Sequence, residues 1–271
     1  MTVDSKTHTQ RSSATRLFLS FLAGVAGLYM VVLIYHFAVP VQVGAVESPA
    51  FLERCRQICE SYGLVPSGRI DDDARDFLEA TDQSKLAGTL DQLLDDSAHK
   101  PVVSMAHSLL GQSAPEFSLL NTDLRRVALK DLNGAGPVVV VFYYGYFCSH
   151  CVAQLFALND DIAYFQKLGA SVVAISADPP EETSKRYAKY GEFNFYVLSD
   201  PENAVAEAYG VYQPESESSP SELQHATFVI DRTGTVAWAY KGDIPFTDNQ
   251  SLLKIIAGVD GPTPDEFGVE R

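Results

Sequence analysis

Cys148-Ser149-His150-Cys151 is the segment whose residue types and spacing could do chemistry. A cysteine at the start of a helix meets unpaired backbone N–H groups and the positive end of the helix dipole. Both stabilise a thiolate and lower the thiol pKa. A second cysteine three positions on lies one turn inside, within reach of the mixed disulfide that the first one forms. Cys148 is therefore expected to attack and Cys151 to resolve. His150 between them can add positive charge beside the thiolate, which favours the reduced form and makes the disulfide a stronger oxidant. The competing readings are a buried cysteine pair and half of a structural zinc site, which would need a second ligand pair at similar spacing.

The chain's other two cysteines, Cys55 and Cys59, have a three-residue spacer and sit in a predicted helix far away in sequence. In an ideal helix their Cβ atoms lie about 5–6 Å apart, against the roughly 3.5–4.5 Å that a disulfide wants. Three readings stay open for this pair. They could be a relay that exchanges electrons with Cys148/Cys151, a metal-binding pair, or two small apolar residues of a helical core.

The elements that must position the motif follow from periodicity. Residues 138–142 form a continuous apolar run after Pro137, as expected of a strand buried on both faces of a sheet. After the CxxC, Cys151, Leu155, Leu158, Ile162 and Phe165 mark one face of a long helix ending near Gly169. Residues 172–175 are another buried strand, so the unit is β-α-β. Beyond it the sequence predicts a helix over 181–190, a strand over 195–198 and a short helix over 202–209. A Pro/Ser/Glu loop over 213–222 leads to a strand over 226–230. An Asp231-Arg232-Thr233-Gly234 turn then opens a strand over 235–240, and the last helix covers 248–257. Ahead of this domain, 48–96 reads as a small helical segment, with Asp71-Asp72-Asp73 at a helix N-terminus where carboxylates meet the dipole. The single Trp238 is expected in the core.

Charge and hydropathy limit what the protein does and where. At 46% hydrophobic residues the 271-residue chain can bury a sizeable core, and a net charge of −15 argues against nucleic acid as a partner. Residues 17–39 contain no Asp, Glu, Lys or Arg and are long enough to span a bilayer as a helix. Lys6, Arg11 and Arg16 precede this run, and no Lys or Arg follows it until Arg54. The expectation is therefore a cytoplasmic tail over 1–16, a single transmembrane helix over 17–39 and an extracytoplasmic remainder. The alternative is a signal peptide cleaved near Val43-Gly44-Ala45, giving a secreted protein. An oxidising compartment follows either way. The Gly/Pro-bearing stretch 258–271 reads as a tail.

Residues 111–257 resemble the peroxiredoxin-related redoxin family (alkyl hydroperoxide reductase/thiol-specific antioxidant type). The resemblance rests on Gly111-Gln112-Ser113-Ala114-Pro115-Glu116-Phe117-Ser118-Leu119 and on the aromatic-rich Phe142-Tyr143-Tyr144-Gly145-Tyr146-Phe147-Cys148-Ser149-His150-Cys151. Leu198-Ser199-Asp200-Pro201, Ala208-Tyr209-Gly210-Val211 and Thr227-Phe228-Val229-Ile230-Asp231-Arg232-Thr233-Gly234 also carry it. It implies an α/β thioredoxin-like fold, a central mixed sheet with helices on both faces, over 111–257. That domain would follow the transmembrane helix and the small helical segment.

Departures from the family pattern are concentrated at the motif. Gly145 stands where peroxiredoxins carry a Thr, and Tyr144 where the aromatic CxxC branch has an Arg. His225 occupies a place often held by a second Arg or, in thioredoxin-like relatives, by a cis-proline. Without those donors a peroxide's departing oxygen is poorly stabilised, whereas thiol–disulfide exchange needs only the two cysteines. The leading expectation is accordingly a membrane-anchored, extracytoplasmic thiol–disulfide oxidoreductase. Its partners would be a protein dithiol or disulfide and an external thiol redox partner, with His150, His225 and Tyr144 tuning the thiol and no cofactor. The first alternative is a thiol peroxidase acting on a hydroperoxide with the same cysteines. The second is a copper-binding or assembly protein similar to Sco-type proteins, in which Cys148, Cys151 and His225 form a soft S/S/N set.

Overall fold

A long uncharged stretch with no proline favours continuous helix, and a single one, α1 (Lys6–Ala38), carries it. The computed structural model describes residues 6–38, 49–65, 67–83, 85–146, 149–216, 219 and 221–259. Among the described residues, no helix is long and apolar enough to cross a membrane. The expected transmembrane helix over 17–39 thus has helical backbone but no structural support as a span. Its side chains are described only as far as residue 31, and its last residue lies outside the described ones. The cleavage motif at 43–45, residues 1–5 and 260–271 of the two tails, and Cys148 also lie outside the described residues. The N-terminal unit, residues 1–43, is compact by itself, and residues 44–271 form a second unit.

Within that second unit the helical segment comes first: α2 (Pro49–Ser61), α3 (Ile70–Ala80) and α4 (Leu90–Asp95). The Asp71-Asp72-Asp73 run occupies the first turn of α3, as the dipole favours. Asp73 also accepts hydrogen bonds from the backbone N–H of Ser67 (2.8 Å) and of Gly68 (3.1 Å), fixing the entry turn. Thr89 and Gln92 form a reciprocal capping box at α4.

The domain proper begins with a hairpin, β1 (Ser118–Leu120) and β2 (Arg126–Ala128), and a short helix, α5 (Leu129–Asn133). Then come β3 (Val138–Phe142), α6 (Ser149–Lys167), β4 (Ser171–Ser176), α7 (Pro180–Tyr190), β5 (Tyr196–Ser199) and α8 (Ala204–Ala208). A two-stranded ribbon, β6 (Tyr212–Gln213) with β7 (Glu222–Leu223), precedes β8 (His225–Ile230), β9 (Val236–Gly242) and α9 (Asn249–Val259).

Seven strands form one mixed sheet in the order β2-β1-β5-β4-β3-β8-β9. β3 is parallel to β4 and β4 to β5, while β8 runs antiparallel to β3 and to β9. All five residues of β3 are buried, as a central strand covered on both faces requires. Its alternating side chains divide the core. Val139 and Val141 pack in one cluster with Phe77 and Leu93 of α3 and α4, with Leu155 and Leu158 of α6, and with Leu252 and Ile256 of α9. Val138, Val140 and Phe142 pack in a second cluster with Leu129, Leu132, Ala206 and Tyr209.

Helices α2–α4 are not an appendage to this core. Arg75 of α3 pairs with Asp160 of α6 (3.1 Å), and Asp161 accepts from the Leu86 backbone N–H (3.0 Å) and from Asn249 of α9 (2.9 Å). The Tyr164 hydroxyl donates to the Gly88 carbonyl (2.8 Å). Trp238 is buried, as its strand position suggests, and its indole N–H donates to the Val102 carbonyl (2.9 Å).

Candidate active site

β3 ends at Phe142, and the chain crosses to α6 through Tyr143, Tyr144, Gly145 and Tyr146, all buried. The Tyr143 N–H continues the sheet by donating to the Ile175 carbonyl (3.1 Å). Gly145 has φ 124°, a backbone conformation that L side chains rarely adopt, so the glycine serves the turn into the motif. The Tyr146 N–H donates to Oδ2 of Asp178 (3.0 Å), which pins this turn to the loop after β4. Nothing in the local sequence marks Asp178, because its partner is a backbone group 32 residues away.

Burial raises the Asp178 carboxyl to about 6, against an ordinary value of 3.8. Because the folded value exceeds the unfolded one, the folded state holds more protons between pH 4 and 6. Stability contributed by protonated Asp178 is lost as pH rises through that window. Asp178→Asn keeps an acceptor for the Tyr146 N–H and removes the titration. The expected result is a flatter stability profile between pH 4 and 6 and a gain of at most about 3 kcal/mol at pH 7. Chemical denaturation at a series of pH values measures it, and an unchanged slope would exclude Asp178 as its source.

α6 starts at Ser149, so Cys151 lies in its first turn, as the CxxC reading requires. Cys151 is fully buried and is held in a disulfide. His150 is fully buried beside it, with Nε2 3.7 Å from the Cys151 sulfur and Nδ1 3.4 Å from the Cys59 sulfur. The Phe77 ring lies 5.5 Å from the imidazole. Burial depresses His150 to about 4, so the imidazole is neutral at physiological pH. The positive charge expected from His150 is therefore absent, because a side chain sealed under α2 and α3 cannot hold a proton cheaply. What His150 offers instead is a neutral nitrogen between two sulfurs.

The second cysteine pair lies at the same place. Cys55 and Cys59 are buried and neither is in a disulfide. One donor atom each from Cys55, His150 and Cys151 lies within 4.8 Å of the other two. Burial, with Cys59 nearby, pushes the Cys55 thiol up to about 12. Arg54, next in sequence, reaches Glu222 (3.8 Å) and Asp243 (3.6 Å), tying α2 to β7 and to the end of β9.

His225 opens β8 and is buried, with its ring 4.2 Å from that of Tyr144 and 6.0 Å from that of His150. Burial and the neighbouring His150 hold it well below the ordinary histidine range. A link between two buried polar groups, Gln154 Nε2 donating to Thr227 Oγ1 (2.8 Å), fixes α6 against β8 and so sets His225 near the motif. Of the expected copper set of Cys148, Cys151 and His225, Cys148 lies outside the described residues. Among the described residues, the group close enough to hold a metal there is Cys55, His150 and Cys151.

A helix that begins within the CxxC, after a central strand with parallel strands on one side and an antiparallel pair on the other, defines an α/β thioredoxin-like fold. A family model described as "AhpC/TSA family" matches residues 110–239. Alkyl hydroperoxide reductase E of Mycobacterium tuberculosis is 34% identical over 132 residues, 48% of this chain and 83% of that protein. Peroxiredoxin Bcp of Escherichia coli is 34% identical over 128 residues, 46% of this chain and 81% of that protein. The chain belongs to the AhpC/TSA family and is a thiol-dependent oxidoreductase. The crystal structure of peroxidoxin BcpB from Mycobacterium tuberculosis aligns with 56% of this chain and 97% of that one, at 27% identity and a TM-score of 0.49.

Proposed function

We propose that the protein is a thiol peroxidase: the Cys148/Cys151 pair reduces a hydroperoxide and an external dithiol returns it to the reduced form. This reverses the order expected from the sequence, where disulfide exchange leads. The observation that carries the reading is the kinship with proteins named alkyl hydroperoxide reductase E and peroxiredoxin Bcp, each 34% identical and covered over more than four fifths of its length. Cys151 and His150 have no solvent exposure, and Tyr143, Tyr144 and Tyr146 around them are buried. In the reaction, a thiolate attacks the terminal peroxide oxygen and the O–O bond breaks, giving a sulfenic acid and an alcohol or water. The second thiol displaces water from the sulfenic sulfur and closes the disulfide.

The sequence departures gain a physical reading under this proposal. With His150 and His225 neutral and Arg54 engaged with Glu222 and Asp243, these groups bring no free cation to the departing oxygen, and the proposal assigns its stabilisation to neutral donors such as the backbone N–H groups at the start of α6. The assay is consumption of hydrogen peroxide and of an organic hydroperoxide by the full chain with a dithiol reductant. Turnover with either substrate is expected. Reduction of insulin disulfides with no peroxide consumed would replace the proposal with disulfide exchange.

The site outside the cytoplasm is likewise proposed, supported by Lys6, Arg11 and Arg16 ahead of an uncharged run. An alkaline phosphatase fusion after Ala45 tests it, and an inactive fusion would place the site inside.

A further inference from the structure

We propose that Cys55 and Cys59 form an internal dithiol that reduces the disulfide of Cys151, with Cys55 as the attacking sulfur and His150 as the group that carries the proton. This rests on the thiol chemistry proposed above and adds a second redox pair to it. Three observations converge on it. The Cys55 sulfur lies within 4.8 Å of the Cys151 sulfur and of a ring nitrogen of His150, in one buried cluster. Cys59 is on the other side of that imidazole, its sulfur 3.4 Å from Nδ1. Cys151 is in a disulfide while Cys55 and Cys59 are not, so both partners of such an exchange are in place.

The electrons balance in two exchanges. Cys55 gives its proton to the neutral His150 imidazole, and its sulfur attacks that of Cys151. The Cys55–Cys151 bond forms, the original Cys151 disulfide breaks, and the leaving sulfur takes the electron pair and the proton from His150. Cys59 then loses its proton and attacks the Cys55 sulfur. The Cys55–Cys59 bond forms, and Cys151 leaves as a thiol. Two electrons and two protons have moved from the Cys55/Cys59 pair to the disulfide of Cys151, and an external dithiol reduces the new Cys55–Cys59 disulfide.

His150 suits the role because its neutral ring can accept a proton, which an imidazolium could not. Its position also suits the role, with Nδ1 3.4 Å from the Cys59 sulfur and Nε2 3.7 Å from the Cys151 sulfur. The final exchange places a disulfide at i,i+4 of a helix, which regular geometry opposes. Cys59 lies in the last turn of α2, which ends at Ser61. There the Cys59 carbonyl already leaves the helical pattern to accept from the Tyr62 and Leu64 N–H groups. Loss of that one turn brings the two sulfurs together without unfolding the rest of the helix.

The experiment is a redox titration of the full wild-type chain in dithiothreitol buffers, with acid quench, alkylation under denaturing conditions and peptide mapping of every disulfide. At intermediate potentials Cys55 is expected in a disulfide, joined to Cys151 or to Cys59, and the fully oxidised chain is expected to hold two disulfides. In Cys55→Ala the oxidised chain keeps one, and dithiol-driven turnover slows. Cys55 and Cys59 remaining alkylatable at every potential at which Cys151 titrates would overturn the proposal. So would stoichiometric zinc retention by the reduced chain that protects Cys55 and Cys151 from alkylation, which would make the cluster a metal site. The mapping does not depend on peroxide. A Cys55 disulfide without peroxide consumption removes the peroxidase reading alone, and peroxide turnover with Cys55 and Cys59 always reduced removes the relay alone.

Discussion

Cys148→Ser is expected to lower steady-state hydroperoxide consumption by on the order of 10³-fold or more, because a serine hydroxyl at neutral pH is a far weaker nucleophile than a thiolate. Cys151→Ser should behave differently. It retains the first oxidation, and a sulfenic acid accumulates because the sulfur that should displace water is missing. Stopped-flow consumption of one equivalent of peroxide, followed by mass spectrometry of the trapped sulfenic acid, separates the two variants. The reverse pattern, with single turnover lost in Cys151→Ser and kept in Cys148→Ser, would move the attack to Cys151. That sulfur lies in the first turn of α6 against His150, so the exchange of roles has a defined structural basis.

Phe77→Ala has the largest expected effect on stability, about 3–5 kcal/mol. The ring is almost completely buried between Tyr62, 5.2 Å away edge-on, and His150. Its loss opens a cavity directly over the imidazole, and water entering there relieves the burial that keeps His150 near 4. The variant should therefore show two linked changes, a lower midpoint in chemical denaturation and a His150 pKa moving up toward 6.5 in an imidazole NMR titration. The sign of the pH dependence follows. A histidine depressed in the folded state contributes stability that is present above about 6.5 and is lost as pH falls toward 4. The wild type should lose stability in that window and Phe77→Ala should lose less of it. A variant that is destabilised with an unshifted His150 would show that α3 does not set the dryness of the site.

The thiol chemistry was legible because it is local. A buried run over 138–142, a CxxC and a 3.6-period face from Cys151 to Phe165 are all properties of neighbouring residues. β3 and α6 form where those patterns place them. The sheet order was less accessible, since β1 pairs with β5 through one register position, Leu120 with Ser199, which no local pattern marks. The environment of the motif was not legible at all. His150 follows a serine and looks like an ordinary polar residue of an exposed turn, and only the packing of α2 and α3 over it makes it neutral. Cys55 and Cys59 are separated from the motif by about ninety residues of sequence, so the spacing within each pair says nothing about the distance between pairs. Helical periodicity indicated that Cys55 and Cys59 face inward; it did not indicate what they face.

The 110–239 stretch that matches the family stops inside β9 and leaves out α2, α3, α4 and α9. A fragment cut to those limits would keep both motif cysteines, yet Leu155 and Leu158 would lose the cover of Phe77, Leu93, Leu252 and Ile256. His150 would lose Phe77 and Cys59 and meet water. Such a fragment would be a different reagent, with an imidazole free to ionise at mildly acidic pH and a CxxC without a companion thiol pair. Helices α2 and α3 thus give the CxxC a chemical interior, made of Cys55, Cys59 and Phe77 around His150.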